Sequence, residues 1–255
     1  MGLSLPFLSP LPFLLVLARV GGFFAFVPLP GGKAGPDTVR VVFTMGFTLA
    51  LYPQWPAVNA TLSLSWLTAA LLSEFALGVT VGLAAACITE SLVMMAQIIG
   101  LQAGYGYAST IDPTTQADSG VLLVVAQLIG GMLFFALGLD REILRIFAHS
   151  LESQPAGAFF VTRPAAQAVV RLTATIFATG LRLALPAVAL LALVDVALAL
   201  AGRLQAQLPM VTLAFPTKMP LALGLLATVG TLLPRIYAEG ARHVLDAAAH
   251  LVAGR

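Results

Sequence analysis

Charged side chains are scarce in this sequence. Of its 255 residues, 13 are Lys or Arg and 11 are Asp or Glu, so 9% of the chain is charged while 59% is hydrophobic. Soluble domains carry about 25% charged residues, which cover much of the surface that meets water. The shortage therefore excludes a water-soluble globule, and high hydrophobicity with a net charge of +2 excludes a disordered chain. It also argues against a nucleic-acid partner, because no stretch gathers the basic residues that a run of phosphates requires.

Cysteine and the patterns of soluble enzymes are nearly absent as well. The single cysteine, Cys87, excludes an intrachain disulfide and a cysteine-based metal site. The three histidines lack the HExxH spacing of zinc peptidases. There is no Walker A motif, no G-x-S-x-G turn and no complete dinucleotide-binding fingerprint. We therefore expect a protein that is not an enzyme and that binds no cofactor or metal.

Long apolar runs, by contrast, are abundant. A bilayer core about 30 Å thick calls for about 20 apolar residues per helix. Proline and glycine clusters separate six apolar segments, at about 6–29, 36–52, 66–102, 120–139, 172–201 and 210–233. The sequence thus predicts an all-α membrane protein with about six long apolar helices, several of them kinked or broken, in contact with the lipid bilayer. The remaining stretch, 235–255, is predicted as a short amphipathic helix.

The basic residues predict an orientation. If all six segments cross the membrane, one side holds Arg141, Arg145, Arg163, Arg171, Arg235, Arg242 and Arg255. The other side holds only Lys33, Arg40, Arg203 and Lys218. Because cytoplasmic loops carry the excess of Lys and Arg, we expect the C-terminus in the cytoplasm.

Two carboxylates share one stripe of the third apolar segment. The stripe recurs every four residues and consists of Glu74, Gly78, Gly82, Ala86 and Glu90. An ionisable residue at membrane depth is costly unless it faces protein or water. The stripe is therefore either a proton or ion relay, or a packing seam in which small residues let backbones approach and the carboxylates bond to neighbours or lie near the ends.

Further small and charged residues lie within or beside apolar segments. Gly100 and Gly104 repeat the spacing of a small-residue seam. In the fifth segment Arg182 and Asp195 are thirteen residues apart, too far for a direct pair within one helix. We expect each of them to find its partner on another helix.

A polar stretch follows the third segment, between residues 104 and 119. It is rich in glycine, tyrosine and aspartate and has no basic residue, and the residues singled out in it are Gly104, Tyr105, Gly106, Tyr107, Asp112, Pro113 and Asp118. A short connection between two helices would not need these glycines, tyrosines and aspartates. The stretch is either a compliant loop that lines or closes a pore, or an exposed polar linker.

One segment near the C-terminus carries a family pattern. Residues 206–219 read AQLPMVTLAFPTKM, and residues 181–186 before them read LRLALP. Both resemble segments of the FliR family of flagellar biosynthesis proteins, whose relatives serve in type III secretion injectisomes. At Ala206, Pro209 and Ala214 the family usually has Pro, Asn and Gly. The charges and glycines within apolar segments, taken together with this resemblance, give as candidate helix-packing or intersubunit residues Glu74, Gly78, Gly82, Glu90, Gly100, Arg182, Pro186, Asp195, Gln207, Phe215, Pro216 and Lys218.

The resemblance implies a subunit of the export gate in the bacterial inner membrane, at the flagellar basal body. Its partners would be other membrane subunits, with this chain present as a single copy of a helical hetero-oligomer, and the unfolded proteins that are exported. The mixed-charge section between residues 140 and 171 is the candidate internal boundary. We thus predict an N-terminal helical part, 1–165, with the pore loop, and a C-terminal hairpin with its amphipathic tail, 166–255.

Residues 104–119 would then act as a plug, with glycines supplying bendable backbone and Asp112-Pro113 fixing a turn. A rival interpretation is a secondary transporter, with Glu74, Glu90 and Asp195 as its ion or proton ligands. The homologous subunit of a virulence injectisome is a further alternative.

Overall fold

The computed structural model describes residues 10–28, 37–56, 63–105, 121–155, 157, 163–204 and 210–252. Within these ranges the chain forms eight α-helices and no strand, which confirms the all-α prediction. The helices are α1 (Pro10–Phe26), α2 (Asp37–Ala50), α3 (Leu64–Ala103), α4 (Val121–Ala136), α5 (Leu139–Ser153), α6 (Arg163–Leu204), α7 (Met210–Gly230) and α8 (Leu233–Val252). A 3₁₀ turn, Tyr52–Gln54, follows α2.

Two of these helices are long and apolar enough to cross a membrane, over Leu64–Ala103 and Val169–Leu204. Two further pairs qualify if each counts as one bent span: α4 with α5, and α7 with α8, both bent by 68°. The helices α1 and α2, with 17 and 14 residues, reach only about 25 and 21 Å at 1.5 Å per residue, short of a core about 30 Å thick. The chain is an all-α membrane protein, but its six apolar segments correspond to two to four candidate spans in the described residues.

The bend between α4 and α5 has a local cause. Gly138 lies between the two helices with a φ of +71°, in the left-handed region that glycine enters without strain. The backbone N–H of Arg141 donates to the Gly138 carbonyl at 3.2 Å, so the new helix starts directly after the turn. Asp140 and Glu142 lie in the first turn of α5, where their negative charge stabilises the helix dipole.

The chain divides into two compact units. Unit 1 consists of Met1–Cys87, Phe134–Thr173 and Ala241–Arg255. Its core holds large side chains that are fully buried, among them Leu15, Phe23, Leu77 and Phe147. The rings of Phe23 and Phe147 lie 4.6 Å apart between centroids, so α1 packs directly on α5.

Unit 2 consists of Ile88–Leu133 and Ala174–Gly240. Ala96, Leu122 and Ala126 form a buried cluster there, against which Tyr105 and Leu226 pack. The Tyr237 hydroxyl donates to the Gly130 carbonyl at 3.1 Å and thereby ties α8 to α4 within this unit.

The stretch predicted as an amphipathic tail forms α8. Its buried residues occur once or twice per helical turn, on one face, and are Leu233, Tyr237, Ala241, Val244, Leu245, Ala248 and Val252. The predicted division at residue 165 stays a prediction.

Candidate functional site

The structure gathers polar side chains into two clusters, one in each unit. The Arg19 cluster, in unit 1, consists of Arg19, Glu74, Ser150, Gln154 and Gly157. The Asp195 cluster, in unit 2, consists of Gln102, Asp195 and Lys218. Each joins three helices.

The Arg19 cluster is built on a buried ion pair. Arg19 on α1 and Glu74 on α3 are both 2% exposed, and Arg19 Nε donates to Glu74 Oε2 at 2.5 Å. The other carboxylate oxygen, Oε1, accepts the backbone N–H of Gly157 at 2.9 Å. A buried ion pair is tolerated only when its remaining donors and acceptors are satisfied, which is the case here for both carboxylate oxygens.

The remaining guanidinium nitrogens of Arg19 reach the end of α5. Nη1 donates to the Ser150 carbonyl at 2.6 Å, and Nη2 donates to the Gln154 carbonyl at 3.3 Å. The Ser150 carbonyl also accepts the backbone N–H of Gln154 at 3.1 Å, and Gln154 itself lies just past the end of α5. The C-terminal end of a helix carries the negative end of its dipole, so a buried cation at this position stabilises the helix. The Gln154 side chain in turn donates to the Val252 carbonyl at the end of α8, at 2.9 Å.

Glycines bring α1 and α3 together at the level of this cluster. A Cβ added to Gly78 would lie 1.9 Å from the Arg19 carbonyl oxygen, and one added to Gly82 would lie 2.4 Å from that of Phe23. From the other side, a Cβ on Gly22 would lie 2.4 Å from the Phe75 carbonyl oxygen. The predicted Gly78–Gly82 seam therefore faces α1 of the same chain, and only glycine fits at such a backbone contact.

The Asp195 cluster joins α3, α6 and α7. Lys218 Nζ forms an ion pair with Asp195 Oδ1, and Gln102 Nε2 donates to Asp195 Oδ2 at 3.1 Å. Asp195 precedes the end of α6 by nine residues and Lys218 follows the start of α7 by eight, a spacing that two antiparallel neighbours bring level. The Asp195 side chain is 43% exposed and that of Lys218 11%.

The start of the predicted loop lies beside this cluster. Gly104 has a φ of +85° and ends α3. Tyr105 then donates its hydroxyl to the Met219 carbonyl at 3.2 Å, next to Lys218. Burial raises the pKa of the Tyr105 phenol. The other loop residues singled out, Gly106, Tyr107, Asp112, Pro113 and Asp118, lie outside the described residues.

The remaining predicted residues are spread over unit 2. Glu90 is half-buried on α3, and Gly100 is buried, with its Cβ position 3.5 Å from a Leu122 methyl group. Arg182 and Pro186 are exposed on α6. Phe215 and Pro216 lie within α7, and Gln207 lies outside the described residues.

Sequence reasoning missed the centre of the Arg19 cluster. Arg19 interrupts an apolar segment just as Glu74 does, so the cost of a charge at membrane depth could have singled it out. Its pairing with Glu74, 55 residues away, and with the carbonyls of α5 had no signal in the sequence.

In both clusters the carboxylate is fully bonded. Each oxygen of Glu74 and of Asp195 already accepts a hydrogen bond or an ion-pair contact. Across the part of the chain that the structure describes, no group of three or more His, Cys, Asp or Glu side chains could hold a metal ion. These arrangements hold helices together.

Comparison with known proteins agrees with this architecture. Residues 11–244 match the family model of the bacterial export proteins, family 1. The chain is 29% identical over 229 residues to the flagellar biosynthetic protein FliR of Pectobacterium carotovorum subsp. carotovorum, covering 88% of this chain and 84% of that protein. It is 24% identical to FliR of Escherichia coli K12, covering 84% and 82%. Identity to FliR of Caulobacter vibrioides is 25%, covering 91% and 93%. The chain therefore belongs to the bacterial export proteins of family 1, the FliR family.

Proposed function

We propose that this chain is a membrane subunit of the flagellar export apparatus, in the bacterial inner membrane, where it helps to form and close the pore for exported unfolded proteins. The observation that carries the proposal is family membership over residues 11–244. The three relatives compared above are all named flagellar biosynthetic proteins, which favours a flagellum over an injectisome. The absence of catalytic and cofactor roles stays a prediction.

The carboxylates of Glu74 and Asp195, which are bonded within the chain, support a structural subunit over an ion-coupled carrier. A carrier needs carboxylates with free oxygens that exchange an ion or proton during transport. Glu74 and Asp195 have partners on both oxygens, and each partner lies outside the helix that carries the carboxylate. Their geometry favours fixed helix packing.

The ends of the 104–119 loop support its proposed role as a plug. Near its start, Tyr105 is bonded to α7 within unit 2, and after its end, Leu122 is buried against Ala96 and Ala126 in the same unit. Such a loop can block ions when the apparatus is idle and make way for a passing chain.

Deletion of residues 108–117 tests the plug. We expect a higher ion conductance through the assembled apparatus in the inner membrane, measured as leakage in whole cells or across a planar bilayer. A second variant, in which a Gly-Ser linker of equal length replaces the ten residues, keeps the connection between α3 and α4 and should leak as well. Unchanged conductance in both variants would remove the role of this loop.

Co-purification tests membership of the apparatus. When the chain is extracted from its own host's membranes, other membrane subunits should co-purify with it. The mass of the purified complex should correspond to one copy of this chain. A chain that is instead stable alone and moves small solutes in liposomes would favour the carrier.

The orientation of the C-terminus can be tested separately. A protease site or a reporter fused after Arg255 should be accessible from the cytoplasm, as the excess of Arg on that side predicts.

A further inference from the structure

One face of α6 is apolar and exposed. The residues of this face all belong to unit 2, are 49–62% exposed, and are Phe177, Leu181, Leu185, Leu193, Val196 and Leu200. In the apolar window of α6 only 22% of the residues are buried, against 50% in that of α3. Either lipid or another protein must therefore cover most of this helix.

Arg182 interrupts the apolar face five residues after Phe177. Ala189, Leu193, Val196 and Leu200 follow it at intervals of 7, 11, 14 and 18 residues, which return to the same side of an α-helix. The Arg182 side chain is exposed, and no described residue donates to or accepts from its guanidinium. It thus differs from Arg19 and Lys218, which both have acidic partners within the chain.

Pro186 adds a second polar group at the same level. It is exposed one turn after Arg182 and lacks the N–H that would donate to the Arg182 carbonyl. The face therefore presents a guanidinium together with a carbonyl that has lost its helical donor. Lipid tails satisfy neither group, and both are costly in hydrocarbon.

From this geometry we infer that the Arg182 face, meaning Arg182, Pro186 and the exposed apolar residues named above, is the docking surface for an apolar helix of another membrane subunit. That helix carries an Asp or Glu that pairs with Arg182. A carboxylate is the chemistry that matches a planar guanidinium with two parallel hydrogen bonds, and an apolar helix matches the leucines on either side. The inference rests on the proposed function, which supplies the membrane partners, and names the contact that one of them makes.

Charge reversal at Arg182 tests the contact in the full chain, extracted with its membrane subunits in detergent and analysed by mass. Arg182→Glu should lower the recovery of at least one subunit by more than about tenfold, because it removes one partner of a desolvated charge pair and adds repulsion. Arg182→Lys should retain part of the recovery. Arg203→Glu, at an exposed site in the last turn of the same helix, is the matched control and should leave recovery unchanged.

A compensating charge change in the lost subunit identifies the partner of Arg182. Replacing an Asp or Glu in an apolar segment of the lost subunit by Arg should restore its recovery with the Arg182→Glu chain. Unchanged recovery with Arg182→Glu would overturn the inference. Restoration by Asp112→Arg or Asp118→Arg would overturn it as well, since the partner would then lie in this chain's own loop.

Lipid is the remaining rival. If Arg182→Leu leaves subunit recovery intact but lowers the melting temperature of the purified protein in phosphatidylglycerol nanodiscs and not in phosphatidylcholine nanodiscs, a headgroup phosphate binds Arg182 and the inference is wrong. These outcomes are distinct from failure of the proposed function, in which the unmodified chain itself recovers no membrane subunit.

Discussion

The two charges of the Arg19 cluster, in unit 1, face each other and are sealed from the surroundings, whereas those of the Asp195 cluster, in unit 2, stay partly open. Arg19 and Glu74 are each 2% exposed, and the helices that carry them touch through glycines. The Asp195 side chain is 43% exposed, and the neighbouring face of α6 presents an arginine with no partner among the described residues. The Arg19 cluster thus satisfies its polar groups within the chain, while unit 2 leaves polar groups on α6 that neighbours can satisfy.

The largest expected effect in this comparison is loss of the buried carboxylate. Glu74→Ala leaves the Arg19 guanidinium buried without its counter-charge, which should lower the free energy of unfolding by about 3–5 kcal/mol. Thermal unfolding of the purified complex, followed by circular dichroism, measures the loss. The control is Glu152→Gln, since Glu152 and His149 form an exposed pair whose side chains are each 65% exposed, and surface pairs contribute about 0–1 kcal/mol.

A double variant sharpens the same point. Arg19→Leu with Glu74→Leu removes both charges and should cost less than Glu74→Ala alone, because no charge is left unpaired. If the double variant instead loses as much stability as Arg19→Leu and Glu74→Leu lose together when each is made alone, the pair does not act as a unit. The contrast with unit 2 then disappears.

The next effect concerns the backbone contact of unit 1. Gly78→Ala should lower the free energy of unfolding by about 1–3 kcal/mol or more, because its methyl group would overlap the Arg19 carbonyl and force α1 and α3 apart. Gly46→Ala on α2 is the matched control. Its Cβ position has nothing within 4 Å, so the change should stabilise the helix by about 0.5–1 kcal/mol. Similar melting temperatures for the two variants would contradict a close crossing.

The smallest effect is expected in unit 2. Lys218→Met removes the ion pair, but Asp195 keeps the hydrogen bond from Gln102 and a partly exposed carboxylate. The free energy of unfolding should therefore fall by only about 1–2 kcal/mol, less than for Glu74→Ala. A loss as large as that of Glu74→Ala would show that Asp195 is sealed in the assembled protein by a neighbour. The comparison between the units would then hold for the isolated chain alone.

Most of the fold was accessible from the sequence. The third apolar segment was predicted from about 66 to 102 and forms a helix over Leu64–Ala103, because a long apolar run without proline has no other way to satisfy its backbone in lipid. The number of spans was less accessible. Segments near 6–29 and 36–52 contain helices of 17 and 14 residues, since prolines and glycines end them before they reach the bilayer thickness.

The candidate site was accessible only in part. Glu74, Gly78, Asp195 and Lys218 could be singled out because charges and glycines are conspicuous in apolar segments. That Asp195 meets Lys218 and Gln102 could not be predicted, because a pattern along one helix says nothing about the helix that packs against it. The residues of the loop beyond Tyr105 lie outside the described part of the chain, and their role stays a prediction.

The sequence by itself determined that this protein is helical and that it resides in a membrane, because hydropathy and helix period are local properties that add along the chain. Its motifs, and the family model that matches residues 11–244, placed it in an export family. Only the tertiary structure decided which polar groups meet: Arg19 with Glu74 and the end of α5, and Asp195 with Lys218. The physical reason is desolvation. A charge among apolar helices must find a partner, but which partner lies within hydrogen-bond reach depends on how distant segments pack in three dimensions.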